Sequence, residues 1–258
     1  MKDSISKNNF FYKKFKDKIF SLLVFLGTII LWKITSVIVG KDIIIPSPEK
    51  TLLRMIEIIK EKDFAIIVFS TIFRTLLSFF LSLILALSFG ILSSVYKRIY
   101  LIINPIVSII RSTPTMAIIL LALIWLGGEK SPIFIGFIVV FPILYSNVME
   151  GFKNVDVKLI EMAQIYEVSN NHIIRNIYIP SIRNYLFAGI NAALGLNFKV
   201  MISAEVMGQP SYAMGTNLFI EKINLEMSGV FAWAIILIVI ATFFDFLISK
   251  MVKPQNKF

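Results

Sequence analysis

Long apolar runs separated by short charged segments constrain this 258-residue chain more than any single residue does. They fall at about Ile19 to Val39, Phe64 to Leu92, Ile99 to Leu126, Ile133 to Asn147, Tyr185 to Met207 and Val230 to Ile248. A helix needs roughly twenty mostly apolar residues to cross the hydrocarbon of a bilayer. About six transmembrane helices are therefore expected, the fourth shortened by Pro142, and its presence sets the direction of everything that follows. A chain that is 57% apolar and 16% charged, with a mean hydropathy of +0.81, cannot bury such runs in one soluble core. The expected fold class is an all-α integral membrane protein whose first partner is the lipid bilayer.

Residues 1–18 form a basic leader with Lys13, Lys14, Lys16 and Lys18. The run after it is too long for a signal peptide and no small-residue cleavage site follows, so it reads as an uncleaved span, with Lys33 snorkelling outward or facing protein. Ile45-Pro46-Ser47-Pro48 then breaks the chain, because neither proline can donate to a helix. From Pro48 to about Lys62, Leu52, Leu53, Ile56 and Ile59 alternate with charges at helical spacing, which predicts an amphipathic helix along the membrane surface.

Lysine and arginine set the orientation. Placing the N-terminus inside puts Lys97, Arg98, Lys153, Lys158, Arg175, Arg183 and Lys250 with the leader in the cytoplasm, while the basic residues of the other face are matched by acids. The expected organisation is a cytoplasmic N-terminus (1–18), the first span with an extracytoplasmic amphipathic helix (19–63), a transmembrane core (64–250) with a cytoplasmic loop (151–184), and a cytoplasmic tail (251–258). The destination is the cell membrane, multi-pass, with both termini cytoplasmic.

Within that loop Asp156 is a plausible N-cap for a short helix through about Tyr166, and Ser169 or Asn170 for a second through Tyr178, which Pro180 would stop. Leu159, Ala163 and Tyr166 share one side of the first helix and Glu161 is free to pair with a partner's basic group. Glu161-Met162-Ala163, followed by Glu167, Ile177, Ile179 and Pro180, resembles the EAA loop of permease subunits of binding-protein-dependent ABC importers. Met162 replaces an Ala, Glu167 stands where that family has Gly, and Ile179 replaces Leu. A left-handed turn is costly for Glu167 and for β-branched Val168, so the break between the helices is expected near Ser169-Asn170-Asn171. A solvated amphipathic loop without a docking role would carry much of the same pattern.

The resemblance extends along the chain through Ile45-Pro46-Ser47-Pro48, Ser70 to Arg74, Arg111-Ser112-Thr113-Pro114, Leu123-Ile124-Trp125-Leu126-Gly127, Phe141-Pro142-Ile143-Leu144 and Ala204-Glu205-Val206-Met207-Gly208. Together these resemble the branch of type I importers that carries nitrate, aliphatic sulfonates, taurine and the pyrimidine precursor of thiamine. That resemblance implies a homodimer with a path near its axis, two cytoplasmic ABC ATPases docked at Glu161, Ala163, Glu167, Ile177 and Pro180, and an extracytoplasmic solute-binding protein. It implies no cofactor bound by this chain, with ATP and Mg used by the partner ATPase.

Ionisable groups in spans are costly unless paired or wet. Arg74, Arg111, Lys199, Glu205 and Asp245 form that set. Lys199 and Glu205 share the fifth span with Asn191 and Asn197, so it has polar groups on more than one side and belongs on the translocation path or at a dimer interface. Arg111, on a helix broken near Pro114, and Glu205 either close the pathway, pair across it, or satisfy other polar groups between helices; Arg74 and Asp245 read as structural. An ion-coupled secondary carrier would instead recruit Glu205 or Asp245 as its ion site.

His172 is the single histidine and cysteine is absent, so no metal or thiolate site is expected. No phosphate loop of the Gly-x-x-x-x-Gly-Lys-Ser/Thr kind occurs, and an enzyme is not expected. The net charge of +10 is spread over several loops, unlike the single basic face of a nucleic-acid binder.

Overall fold

A computed structural model describes residues 2–252, and the side-chain surroundings of all of these except residues 2–15, 17, 18, 170, 171, 245 and 248–252. The expected tail beyond residue 252 and the side chain of Asp245 lie outside the described residues. The described residues are mostly helical: α1 (Lys2–Val39), α2 (Pro48–Lys60), α3 (Phe64–Val95), α4 (Lys97–Ser112), α5 (Thr115–Lys153), α6 (Val157–Ile165), α7 (Asn170–Ile173), α8 (Ile179–Gly208), α9 (Met214–Ile223) and α10 (Met227–Val252), with a π-turn at Ile174–Tyr178. Two compact units divide it, residues 1–61 with 220–235, and residues 62–219 with 236–258.

In the first unit the proline break works as its chemistry dictates. Ser47 caps α2 by accepting from the Lys50 amide at 3.3 Å, and Pro48 occupies the first turn, where its missing N–H costs nothing. The break is tied to α1 through the Trp32 indole, which donates to the Pro46 carbonyl at 3.0 Å, and the Ser36 hydroxyl, which donates to the Ile45 carbonyl at 3.2 Å. Lys33 faces protein rather than lipid: its ammonium lies 2.8 Å from the Glu49 carboxylate. On α2, Arg54 is held by Glu221 at 2.6 Å and Glu57 at 3.1 Å, with Glu61 at 3.8 Å. The apolar residues Leu52, Leu53, Ile56 and Ile59 are exposed, as an interfacial helix requires.

Five helices among the described residues contain stretches long and apolar enough to cross a membrane: Ile19–Val39, Phe64–Val95, Thr115–Lys153, Ile174–Gly208 and Met227–Phe244. The longest is not straight. Gly127 has φ 71° and ψ 175°, a conformation that ends one helical limb and starts another. Ile118 and Val139 would stand about 30 Å apart in an uninterrupted helix. They line one cavity of about 190 Å³, so the chain doubles back at Gly127-Gly128. Arg111 beside Ser146, and Ile119 and Ala122 in one cluster with Ile135, follow the same antiparallel pairing. The first limb continues α4 across the break at Thr113-Pro114, and the second runs back from Gly128 to Lys153, through Pro142 without ending there. The Thr115–Lys153 element thus holds two antiparallel limbs, the first following the break after α4 and the second longer than the apolar run Ile133 to Asn147 suggests.

The second unit packs α5 against α3 and α8. Its core joins Phe79, Ala86, Val107, Val140, Phe141, Leu144, Tyr145, Met149 and Ala193. Close approach on α3 comes from a column of small residues, Thr71, Thr75, Ser78, Ser82, Ala86 and Gly90, all buried. The single Ser82 hydroxyl proton is shared between the Ser78 carbonyl of its own helix at 2.8 Å and the Phe137 carbonyl of α5 at 3.0 Å, so a hydroxyl inside the apolar layer bridges two helices.

Candidate coupling loop and polar span faces

The segment between α5 and α8 forms a compact helical knob. Asp156 caps α6, its carboxylate accepting from the Lys158 amide at 2.9 Å. At the other end the Glu167 amide donates to the Gln164 carbonyl at 3.0 Å and the Val168 amide to the Ala163 carbonyl at 2.9 Å, the paired bonds of a Schellman cap. That cap needs a left-handed residue at its centre, and Glu167 supplies it with φ 54°. The expected break at Ser169-Asn170-Asn171 is therefore corrected. The turn is completed at Glu167, where two backbone hydrogen bonds hold a side-chain-bearing residue in the conformation Gly would adopt freely, against a cost of about 1–2 kcal/mol. Ser169 heads α7 instead, its carbonyl accepting from His172 and Ile173.

Pro180 does not stop the second helix. The Ile179 amide reaches back to the Ile174 carbonyl, a wider π-turn bond that carries the chain straight into α8, where Pro180 sits in the first turn. The Ser181 hydroxyl takes the Ile177 carbonyl at 2.8 Å. Ile177 is half-buried and Pro180 exposed. Phe152 and Tyr178 rings, 5.6 Å apart, tie the turn to the end of α5.

Ala163 is buried within the chain, while Leu159, Met162, Ile165 and Tyr166 form an exposed apolar face on α6. Glu161 is exposed with no ion-pair partner among the described residues. The nine-residue helix and its C-cap Tyr166 thus present four large apolar side chains at the surface of the chain beside the Glu161 carboxylate.

The polar residues of α8 separate into two faces. Asn197 is fully buried: its amide donates to the Thr75 carbonyl at 2.8 Å and to the Ser78 hydroxyl at 3.0 Å, binding α8 to α3. Glu205 is also fully buried, accepting from the Thr71 hydroxyl at 3.0 Å, the Gly215 amide at 3.1 Å and the Arg74 guanidinium at 3.3 Å. Arg74 continues to the Tyr212 carbonyl at 2.7 Å and lies 3.6 Å from Glu129, whose carboxylate accepts from both the amide and the hydroxyl of Ser211 at 2.7 Å. Asn197 and Glu205 therefore lie inside the chain's own packing, with no part of either side chain exposed. Nor does Arg111 meet Glu205 within the chain; its guanidinium lies 3.4 Å from the Ser146 hydroxyl.

The opposite face of α8 exposes Asn184, Ala188, Asn191, Ala192, Lys199 and Ser203. Side chains this small and polar would leave the amides and ammonium unsatisfied against lipid. Arg111 and Pro114 are exposed as well, and Arg111, Thr113 and Thr115 line the 190 Å³ cavity with Leu196 of α8. The Arg74–Glu129–Ser211 arm escaped sequence reading, although a regular 3–4 residue spacing of Thr and Ser below Arg74 marked that side of α3 as inward.

Residues 78–253 match the family described as the binding-protein-dependent transport system inner membrane component. This chain belongs to that family. Its relatives include a protein of Bacillus subtilis (strain 168) named for aliphatic-sulfonate transport as a permease, 26% identical over 63% of this chain and 60% of its own length. A nitrate import permease protein of Synechococcus elongatus is 29% identical over 41% of this chain and 38% of its own. The matched segment thus spans less than two thirds of either relative. A chain of the inward-facing MetNI methionine ABC transporter superposes with a TM-score of 0.56 at 16% identity, over 72% of this chain and 94% of that one, which establishes a shared fold. The permease is accordingly a multi-pass membrane protein of a transport family.

Proposed function

We propose that this permease is the membrane-spanning subunit of an ABC importer, works as a pair of identical copies, and docks a cytoplasmic ATPase on α6. The observation that carries this reading is the exposed face of Leu159, Met162, Ile165 and Tyr166, set beside free Glu161 and closed by the Schellman cap at Glu167. The distribution of lysine and arginine supports a cytoplasmic position for that knob and for both termini. ATP with Mg would be bound and hydrolysed by the partner, and a solute-binding protein would deliver solute from the other side. Closure of two ATPases would draw two knobs together. Because the π-turn joins α7 to α8 without a flexible break, that movement would pass directly into the α8 span.

The solute favoured is a small oxyanion such as a sulfonate, taurine or nitrate. Lys199 and Arg111 are exposed cations on spans, neither has a carboxylate partner among the described residues, and the relatives are named for such anions. A second copy facing the α8 stripe would give its amides and ammonium a wet, polar neighbour in place of lipid. The ion-coupled alternative through Glu205 is disfavoured, because donors from Thr71, Gly215 and Arg74 already occupy that carboxylate.

Copurification with the cognate ATPase tests the docking. Glu161→Lys combined with Tyr166→Asp is expected to reduce recovery of the ATPase about tenfold or more while the permease itself remains membrane-inserted; unchanged recovery overturns the reading.

A further inference from the structure

At the end of the second unit that carries the knob, four chain segments meet around a cavity of about 430 Å³: the end of α3, the start of α4, the end of α5 and the π-turn. Its polar lining is Ser93, Ser94, Lys97, Tyr100, Lys153 and Tyr178. Among the described residues no carboxylate lines it. Lys97 and Lys153 are exposed and have no acidic partner among the described residues, while the nearby acids are otherwise engaged: Glu150 accepts from Asn154 at 3.0 Å and Asp156 caps α6. Two uncompensated cations therefore face one opening from different helices.

A second observation points inward. Ser93 is only 4% exposed, lines the cavity, and its hydroxyl has no hydrogen-bond partner. A buried hydroxyl without a hydrogen bond is costly, and the neighbour of Ser93 within the chain is the Tyr145 hydroxyl, itself buried and unbonded. The amides at the start of α4, a 16-residue helix whose Tyr96 cap provides no side-chain acceptor, add the positive end of a helix beside Lys97. Val95, Met149 and Phe152 complete the wall with apolar surface.

We propose that this cavity binds the phosphate of a phosphate ester, with Lys97 and Lys153 contributing charge, Ser93 a buried hydrogen bond and the start of α4 its free amides. Lysine suits phosphate as a mobile point charge, the tyrosine and serine hydroxyls suit its several oxygens, and the apolar wall suits the carbon part of an ester better than a bare ion. Such a ligand comes either from an anionic phospholipid at the membrane surface or from a soluble phosphate ester. Because Tyr178 belongs to the π-turn, an occupied cavity would brace the knob against α4 and α5.

The test uses the full permease in lipid nanodiscs. In one arm, phosphatidylglycerol is titrated into phosphatidylcholine discs and bound lipid is counted by native mass spectrometry. In the other, glycerol 3-phosphate is added to pure phosphatidylcholine discs and thermal stabilisation is read. Lys97→Gln/Lys153→Gln should weaken binding by about tenfold or more, Ser93→Ala by less, and Lys97→Arg/Lys153→Arg should restore it. Lys158→Gln/Arg175→Gln, which removes the same charge from the knob, should leave it unchanged. Loss confined to the lipid arm identifies a headgroup, and loss confined to the soluble arm identifies a free ester. Overturning results are wild-type binding in neither arm, equal binding by the Gln pair, or equal loss in the knob control, which would reduce the effect to diffuse charge.

Discussion

The guanidinium of Arg74 lies 3.3 Å from the carboxylate of Glu205, joining α3 to α8 at a point where Glu205 has no exposed surface. The same carboxylate holds the Gly215 amide and the Thr71 hydroxyl, and that hydroxyl in turn accepts from the Met214 amide at 3.0 Å. One buried acid thereby fixes the turn after α8, whose first residue, Gln209, is left-handed at φ 50°.

Removing Glu205 leaves the buried Thr71 hydroxyl and Gly215 amide without their acceptor, at about 1–3 kcal/mol each, while Glu129 still faces Arg74. Glu205→Ala should therefore lower the apparent melting temperature in detergent by about 10 °C, and Glu205→Gln, which keeps an acceptor for Thr71 or Gly215, by distinctly less. Equal melting of both variants and wild type would contradict the clamp. Gly215→Ala should behave like Glu205→Ala, since its Cβ would stand 2.6 Å from the Glu205 Cβ and 2.7 Å from the Ile202 carbonyl.

The hairpin between the two limbs of α5 depends on two adjacent glycines for different reasons. Gly127 needs its positive φ, and a Cβ on Gly128 would overlap the Gly208 carbonyl. Gly127→Ala should destabilise by about 1–3 kcal/mol, since its extended positive-φ conformation is open essentially to Gly alone, and Gly128→Ala more, because backbone on α8 has to move. Limited proteolysis at the hairpin checks both; wild-type protection in Gly128→Ala would show that the two turns are not in contact.

At Glu167 the expectation is reversed. Glu167→Gly should relieve the left-handed strain and stabilise the knob by about 1 kcal/mol, whereas Glu167→Val should loosen it. Amide exchange at Val168 and Tyr166 reports this directly. Faster exchange in the Gly variant would mean that Glu167 contributes an interaction beyond its backbone.

The link between α1 and α2 should respond to acid. The hydrogen bond from Lys33, assisted by backbone and Ser47 donors, lowers the Glu49 pKa from 4.5 to about 2. A carboxyl with a depressed folded pKa contributes stability above its ordinary value, and that contribution fades as pH falls through the folded one. The nitrogen NMR shift of the Lys33 ammonium should change as pH falls from 4.5 towards about 2 while Trp32 and Ser36 keep α1 and α2 together, and Glu49→Gln should abolish that step.

Much of the site was visible in the residues because its signals are local. Asp156 could be recognised as a cap from its position before an apolar-periodic segment, and Leu159 and Tyr166 as a shared face from helical spacing. Glu167 could not, because whether a side-chain-bearing residue adopts positive φ depends on the two hydrogen bonds that close around it. Pro180 was misplaced for a related reason: a proline ends a regular helix, but a π-turn supplies a register in which its missing amide is tolerated.

Hydropathy is additive along a chain, so the residues alone marked this as a membrane protein and set the charged knob between two apolar runs. Which polar groups of α8 face inward depends on tertiary packing. Asn197 and Glu205 are satisfied by Thr75, Ser78, Thr71 and Arg74, which lie more than a hundred residues earlier in the chain, while Asn191 and Lys199 are left outside. Helical period places these four residues around one axis, but their separation into glue and exposed surface depends on which neighbouring helix brings the complementary donors.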